Sequence, residues 1–440
     1  MKTQRMYLLC ALVTMLSLSS QPLRADSTKL ADLLQQLFVT DVVLAPPTGP
    51  FPSHEAHFVA NKATQQAFFN ALNDSAVSQL ATFPVGLGSA GFTFTFDPEL
   101  GVFTRSTESF GPVYAERIQT LGKGRWNYSV SYQQAEYDSI DDLDLLNGEI
   151  RTQLTHEDTD GSGDPVTLFF EGDVIENRAK IELTSKMLLL AGTYGVTDRF
   201  DVGVVIPMVR VELDAVSELE VIELGTTPPP AIHGFPGGGD TQTRRASDSA
   251  TGIGDVLLRG KYRFWGHERA GWAVASQIRL PTGDEDELLG TGETQFKVLL
   301  IGSAMIGTFS PHLNFGFTKA RDLPDEINYA LGFDVGLHPR VTFAMDLVGR
   351  SLLDATQATL KDQTFLFNQV PPPGTPVTES TVRPVLATEE DDINQLFAAV
   401  GVKFNSGGNA VVTVNALVSL RDDGLEDEDP ILLFAYDQTF

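Results

Sequence analysis

The chain has one cysteine, Cys10, among its 440 residues, and it falls in an N-terminal segment laid out as an export signal. Lys2 and Arg5 precede the apolar run Met6 to Leu18, which gives way to Ser19, Ser20 and Pro22, and small Ala25 stands before polar Asp26. Bulky Leu9 ahead of Cys10 speaks against a lipid-modified cysteine. Cleavage after Ala25 leaves no thiol, so the mature chain has neither an internal disulfide nor thiolate chemistry. Positive charge is also scarce. The 31 Lys and Arg face 58 Asp and Glu, a formal charge of −27 that becomes −30 once Lys2, Arg5 and Arg24 leave with the signal. Such a surface excludes a nucleic-acid partner, whose phosphates require basic groups. Past the signal no window approaches the ~20 consecutive apolar residues of a membrane helix. A membrane-spanning form of this chain has to be a β-barrel.

What the sequence does have is alternation. Trp126, Tyr128, Val130 and Tyr132 alternate with Asn127, Ser129, Ser131 and Gln133. Leu258, Tyr262 and Phe264 alternate with Arg259, Lys261 and Arg263, and Tyr329, Leu331 and Phe333 with Asn328 and Asp334. Such a period of two marks strands with an oily face and a polar face, in a soluble sandwich or a membrane barrel alike. Length and connection favour the barrel. Residues 180–196, 200–213, 251–265, 291–306 and 341–354 exceed the ~9 to 11 residues that cross a bilayer at a tilt. Tight turns at 197–199, 266–270, 307–310, 338–340 and 406–408 alternate with the variable connectors 222–250, 283–290, 321–325, 355–391 and 422–429. Short turns on one rim and long loops on the other are the habit of bacterial outer-membrane barrels. The expectation is an all-β transmembrane antiparallel barrel of twelve strands, running from residue 125 to 440, with 138–178 as a long external loop. A hairpin around Phe92 to Phe103 would raise the number to fourteen if it joined the wall.

The expected divisions are a signal peptide (1–25), a helical N-terminal segment or plug (26–88), a short hairpin and lead-in (89–124) and the barrel (125–440). Leu30, Leu33, Leu34 and Leu37 stand at helical spacing, and a second helical stretch covers residues 60–82. At the other end Leu432, Phe434, Tyr436 and Phe440 share one parity, and this pattern resembles the C-terminal signal read by the barrel-assembly machinery of Gram-negative outer membranes. Gln438 departs from that pattern.

Several segments resemble a family of outer-membrane barrels associated with the meta-pathway of phenol degradation, distantly similar to long-chain fatty-acid channels. The carrying residues are Thr251-Gly252-Ile253-Gly254-Asp255-Val256, Gly260-Lys261-Tyr262-Arg263-Phe264 and Arg279-Leu280-Pro281-Thr282-Gly283-Asp284. Upstream, Gly91 to Asp97, Ser109-Phe110-Gly111-Pro112 and Ala115-Glu116-Arg117 are similar to a segment that precedes the barrel in related exported proteins. The resemblance implies passage of small hydrophobic or aromatic compounds through the outer membrane.

With the polar parity turned inward, Asp255, Arg259, Lys261, Arg263, Arg279, Lys297, Asp334, Asp346 and Arg350 are the candidate lumen residues, because an Arg or Lys facing lipid costs ~2 to 4 kcal/mol at the midplane. They would form either a selective polar conduit or a lumen-filling ion-pair network. Other chemistry finds little footing. An outer-membrane lipase would need a Ser, a His and a polar third group at one level of the wall. The histidines are instead scattered, with His54 and His57 before the barrel, His156 and His233 in long loops, and His267, His312 and His338 at or beside tight turns, all expected to be solvated. Gly237-Gly238-Gly239 lacks a phosphate-loop Lys and reads as linker. Asp158, Asp160, Gly161 and Asp164 come near a calcium-loop spacing without its closing Glu. No cofactor or metal is expected. The expected partners are outer-membrane lipid and lipopolysaccharide, the barrel-assembly machinery and a small hydrophobic solute. The alternatives to a channel are a structural or adhesive barrel with a filled lumen, or an outer-membrane lipase-type enzyme.

Overall fold

The structure is a computed structural model that describes residues 29–38, 42–46, 58, 73, 75–84, 94–97, 102–105, 109–157, 171–224, 233–267, 269–369, 377–421 and 423–440. The N-terminal part contributes helix α1 (Leu30–Phe38), a helical stretch over residues 75–82, and a hairpin of β1 (Phe94–Asp97) and β2 (Val102–Arg105). Then follow β3 (Trp126–Tyr137), β4 (Ser139–Ile140), β5 (Leu143–Asp144), β6 (Ile150–Thr155), β7 (Val174–Thr197), β8 (Phe200–Ile222) and β9 (Thr241–Ile253). The rest is β10 (Val256–His267), β11 (Ala270–Leu280), β12 (Gln295–Ala304), β13 (Phe309–Lys319), β14 (Asp325–His338), β15 (Val341–Gln369), β16 (Val377–Gly407), β17 (Ala410–Ser419), β18 (Leu425–Glu426) and β19 (Ile431–Thr439).

Twelve of these close a ring of antiparallel pairs in the order β7-β3-β19-β17-β16-β15-β14-β13-β12-β11-β10-β8, and the β7–β8 pairing seals it. The closed ring leaves no open strand edge, which a sheet in hydrocarbon requires. The strands β6 and β9 do not widen the ring. β6 pairs with β7 over residues 174–179, above the stretch of β7 that meets β3, and β9 pairs with β8 above the stretch that meets β10. Each prolongs one strand position of the wall. The hairpin β1–β2 is a separate two-stranded sheet and adds nothing to the ring.

The wall has the polarity read from the alternation. Along β3, Trp126 and Tyr128 are exposed while Asn127, Ser129, Ser131 and Gln133 are buried, although all are within one strand. Exposed Tyr262, Phe296, Val298, Phe315, Leu331, Val402 and Phe434 continue the oily outer band. At the short-turn rim Trp126 stacks on Tyr128 and Tyr128 meets Phe440 edge-on, an aromatic girdle of the kind found at membrane interfaces. Phe440 and Trp126 exchange backbone hydrogen bonds, so the last strand closes directly on the first wall strand.

Several boundaries differ from expectation. Residues 355–391, expected as a loop, are mostly ladder: β15 and β16 run 29 and 31 residues, roughly 100 Å at ~3.3 Å per residue, far beyond an apolar band ~25 Å tall. Their charged residues sit on a ribbon outside the lipid, where both faces tolerate polarity. Residues 138–178 likewise hold β4, β5, β6 and the start of β7, and 222–250 holds most of β9. The single strand expected over 251–265 is broken at Gly254 and Asp255, opposite Pro207, whose missing N–H cannot extend the ladder. The histidines also differ. His312 is buried on the lumen side of β13, while His156 and His233 are buried around Phe58 in a core with Val42, Leu44, Leu154, Leu219 and Phe235 above the ring. Among the described histidines only His267 and His338 are exposed as expected. Residues 1–28, His54, His57 and the acidic run at 158–164 lie outside the described residues.

One further departure matters for the site. The inner face of β7 and β8 is apolar toward the long-connector rim, with Ile181, Leu183, Met187, Leu189, Val209 and Leu213 buried in one cluster with Leu30, Leu33, Leu37, Val77, Leu80 and Phe83. Helix α1 therefore packs against β9 and β8 at the long-connector rim and the stretch 75–82 packs within the ring, each buried Leu contributing on the order of 1.5–3 kcal/mol.

Candidate functional site

Two N-terminal stretches divide the lumen. Toward the long-connector rim the helical stretch 75–82 is fastened by Arg350, which donates to the Thr82 hydroxyl at 2.7 Å and to the Gln79 carbonyl at 3.4 Å, and by Arg279, which donates to the Ala81 carbonyl at 2.7 Å. Gln79 Oε1 accepts from the side chain of Gln395 at 3.3 Å. Toward the short-turn rim residues 109–122 form a strap across the bore. Lys403, fully buried, donates to the carbonyls of Phe110 and Pro112. Asp346 accepts the amides of Val113, Tyr114 and Ala115 at 3.2–3.4 Å, and His312 Nε2 lies 2.6 Å from its other oxygen. Asn314 takes the amide of Glu116 and gives to its carbonyl, and Ser303 takes the amide of Ile118. The strap enters the wall through Gly122 and Gly124, both at positive φ (92° and 76°), where a side chain would be strained. A Cβ on Gly195 would lie 1.9 Å from the Gly122 carbonyl, so the strap and wall can touch only as glycines.

Between helical stretch and strap lies a chamber of about 210 Å³. Its charged lining consists of Arg117, Arg259, Lys261, Arg279, Lys297 and Arg350 against Glu116, Asp201 and Glu326, and its apolar lining includes Phe83, Leu257 and Leu299. Glu116 pairs with Arg259 and lies 3.8 Å from Lys261. Glu326 sits 3.9 Å from Lys297 and 4.0 Å from Arg350. The Asp201 carboxylate is taken up by the Leu121 amide, and Lys261 donates to the carbonyls of Arg117 and Gln119. Arg279 is thus held by a neutral carbonyl, and Lys261 and Arg350 by neutral oxygens as well as by a carboxylate within 4.0 Å.

Of the nine residues read as lumen-lining, Arg259, Lys261, Arg279, Lys297 and Arg350 meet in this chamber, and four do not. Asp255 anchors the loop after β11, accepting from the Gly283 and Thr291 amides and the Thr291 hydroxyl. Arg263 donates to the Asp198 carbonyl at the short-turn rim. Asp334, 3.6 Å from His312, and Asp346 belong to the strap's footing. Sequence reasoning missed Glu116, Arg117, Asp201 and Glu326. Parity could have found two of them, because Glu326 is in phase with Asn328 and Asp334, and Asp201 alternates with outward Val202 and Val204. No local signal places the strap residues. At the C-terminus Leu432, Phe434 and Phe440 are exposed on the outer face, and Tyr436 donates its hydroxyl to Gln438 Oε1 at 3.1 Å, so the departing Gln is engaged on that face.

A family model described as "Putative MetA-pathway of phenol degradation" matches residues 159–411, more than half of the chain. Among solved structures, an outer-membrane channel from Pseudomonas putida F1 is 13% identical, with 74% of this chain and 99% of that one covered at a TM-score of 0.42. A FadL homologue from Pseudomonas aeruginosa is 11% identical over 82% of this chain and 97% of that one, TM-score 0.33. The toluene transporter TbuX of Ralstonia pickettii is 13% identical over 82% and 100%, TM-score 0.27. No curated protein sequence matches the chain.

Proposed function

Because the chain belongs to the family described as the MetA pathway of phenol degradation, we propose that its barrel is an outer-membrane channel for small hydrophobic or aromatic compounds. The observation that carries this reading is the chamber of about 210 Å³ inside a closed, lipid-belted ring. A ring serving only as an anchor or adhesin has no need of a cavity walled by both charge and apolar surface. In this reading the short-turn rim with both barrel ends faces the periplasm, the long β15–β16 ribbon faces outward among lipopolysaccharide, and an N-terminal signal peptide directs export. The outward row Leu432, Phe434, Tyr436 and Phe440 then serves recognition by the barrel-assembly machinery. Helical stretch and strap together form the plug, so a solute passes by their displacement and not through a standing pore.

The test is uptake of labelled toluene and phenol at low external concentration by Gram-negative cells that lack or carry the gene. Faster uptake with the gene is expected. Equal uptake, together with unchanged growth on every hydrophobic carbon source, leaves a filled structural barrel as the function.

A further inference from the structure

The chain as a whole carries roughly two acids for every base, 58 against 31, yet among the described residues the chamber lining inverts that ratio, with six bases to three acids. The inversion is sharpest on the side of the helical stretch. Lys297 and Arg350 converge on one acid, Glu326, at 3.9 and 4.0 Å. Arg279 lines the same wall, and among the described residues it has no ion pair and spends a donor on the Ala81 carbonyl. Three cations therefore line this side of the chamber, with Glu326 the one acid there among the described residues and Asp255 acting on Arg279 from beyond the lining. Uncompensated charge in such a place is costly unless an opposite charge is supplied. Each guanidinium has five donors and each ammonium three, so donors remain to bind an anion after the protein contacts are made. Arg350 spends Nε on Gln395, Nη1 on Thr82 and Nη2 on the Gln79 carbonyl, so it is Arg279 that can offer the paired N–H geometry that matches a carboxylate.

The space itself argues for an organic anion. Cavities of roughly 150 Å³ admit a benzene ring, and this one is larger, with Phe83, Leu257 and Leu299 as apolar surface beside the cations. We propose that the chamber is a seat for a small organic monoanion, a single-ring carboxylate being the best fit, with the carboxylate on Arg279, Lys297 and Arg350 and the ring against Phe83. This names a substrate class for the channel reading and rests on it. The acid Glu326 draws the three cations together, while the strap's own pair, Glu116 with Arg259, is already satisfied and closes the far side.

The experiment is calorimetric titration of the full detergent-solubilised protein at pH 7.5 with sodium benzoate, benzyl alcohol and sodium acetate, run beside the toluene-uptake comparison. Benzoate is expected to bind at least about tenfold more tightly than benzyl alcohol, since a charge-assisted hydrogen bond differs from a neutral one by that factor or more, and at least about tenfold more tightly than acetate, since burying the ring removes its apolar surface from water. Arg279→Gln and Lys297→Gln should each weaken benzoate about tenfold and leave benzyl alcohol unchanged, while Arg279→Lys restores part of the loss. A gel showing the heat-dependent mobility of an intact barrel verifies that each variant is folded. Benzyl alcohol binding as tightly as benzoate, or no benzoate binding, overturns the anion seat even where toluene uptake is gene-dependent. Acetate binding as tightly as benzoate overturns the ring. Tight benzoate binding without gene-dependent uptake upholds the seat and removes the channel reading instead.

Discussion

At Asp346 a single buried carboxylate takes three strap amides on one oxygen and faces His312 with the other. Gly332 keeps the space beside it open, since a Cβ there would lie 2.3 Å from Asp346 Oδ1. Asp346→Ala strands those amides and leaves His312 with only Asp334 nearby. We expect a loss of about 3–5 kcal/mol, the cost of breaking a buried charged pair. Urea titration followed by the mobility shift of the folded barrel measures it, and hydrogen exchange across residues 110–117 should quicken. An unchanged midpoint with unchanged exchange would remove Asp346 from the strap's support. That Asp346 faces inward was readable from its alternation with Met345 and Leu347. That its partner is a segment more than two hundred residues earlier was not, because no local pattern encodes which loop lies across a bore.

Among the elements, the small sheet of β18, β4 and β5 above the ring shows how connectors read as loop become structure. Asp141 accepts the Ala358 amide at 2.7 Å, and Asp427 accepts the Glu136 and Asp429 amides, so these carboxylates hold the rim's connectors to the long strands. Burial pushes both up to about 6, above the ordinary ~3.9 of an unfolded aspartate. A raised carboxyl binds its proton more tightly in the folded form. Protonation therefore favours the docked rim between about pH 4 and 6, and that contribution is lost as pH rises through about 6. Hydrogen exchange in residues 138–145 and 424–429, corrected for its intrinsic rate, should be slower at pH 5 than at pH 7. Asp141→Asn, neutral at every pH, should flatten the difference. Faster exchange at pH 5 would reverse the sign and refute the assignment.

For the molecule as a whole, ring and filling are separable in principle because they are held by different forces. The ring rests on a continuous backbone ladder and an oily belt, the filling on apolar packing against β7 and β8 and on the Asp346 and Arg350 contacts. The intact protein in a planar bilayer should show little open conductance. A variant lacking residues 26–124 should keep its heat-dependent mobility, the sign of a closed barrel, and pass a steady, nearly ohmic current. A silent variant of this kind, still folded, would mean that the barrel's own connectors block the bore.

The sequence by itself determined the closed antiparallel barrel, the outward turn of its oily parity and the alternation of tight and long connectors, since pleat and turn chemistry act between neighbours a few residues apart. Tertiary structure alone decided how far β15 and β16 project, that His156, His233 and His312 are buried, and that five of nine inward charges share a chamber. Those outcomes depend on ladder register and on the route of the N-terminal segment. Both are set by contacts between residues remote in the chain, whose energies no short window contains.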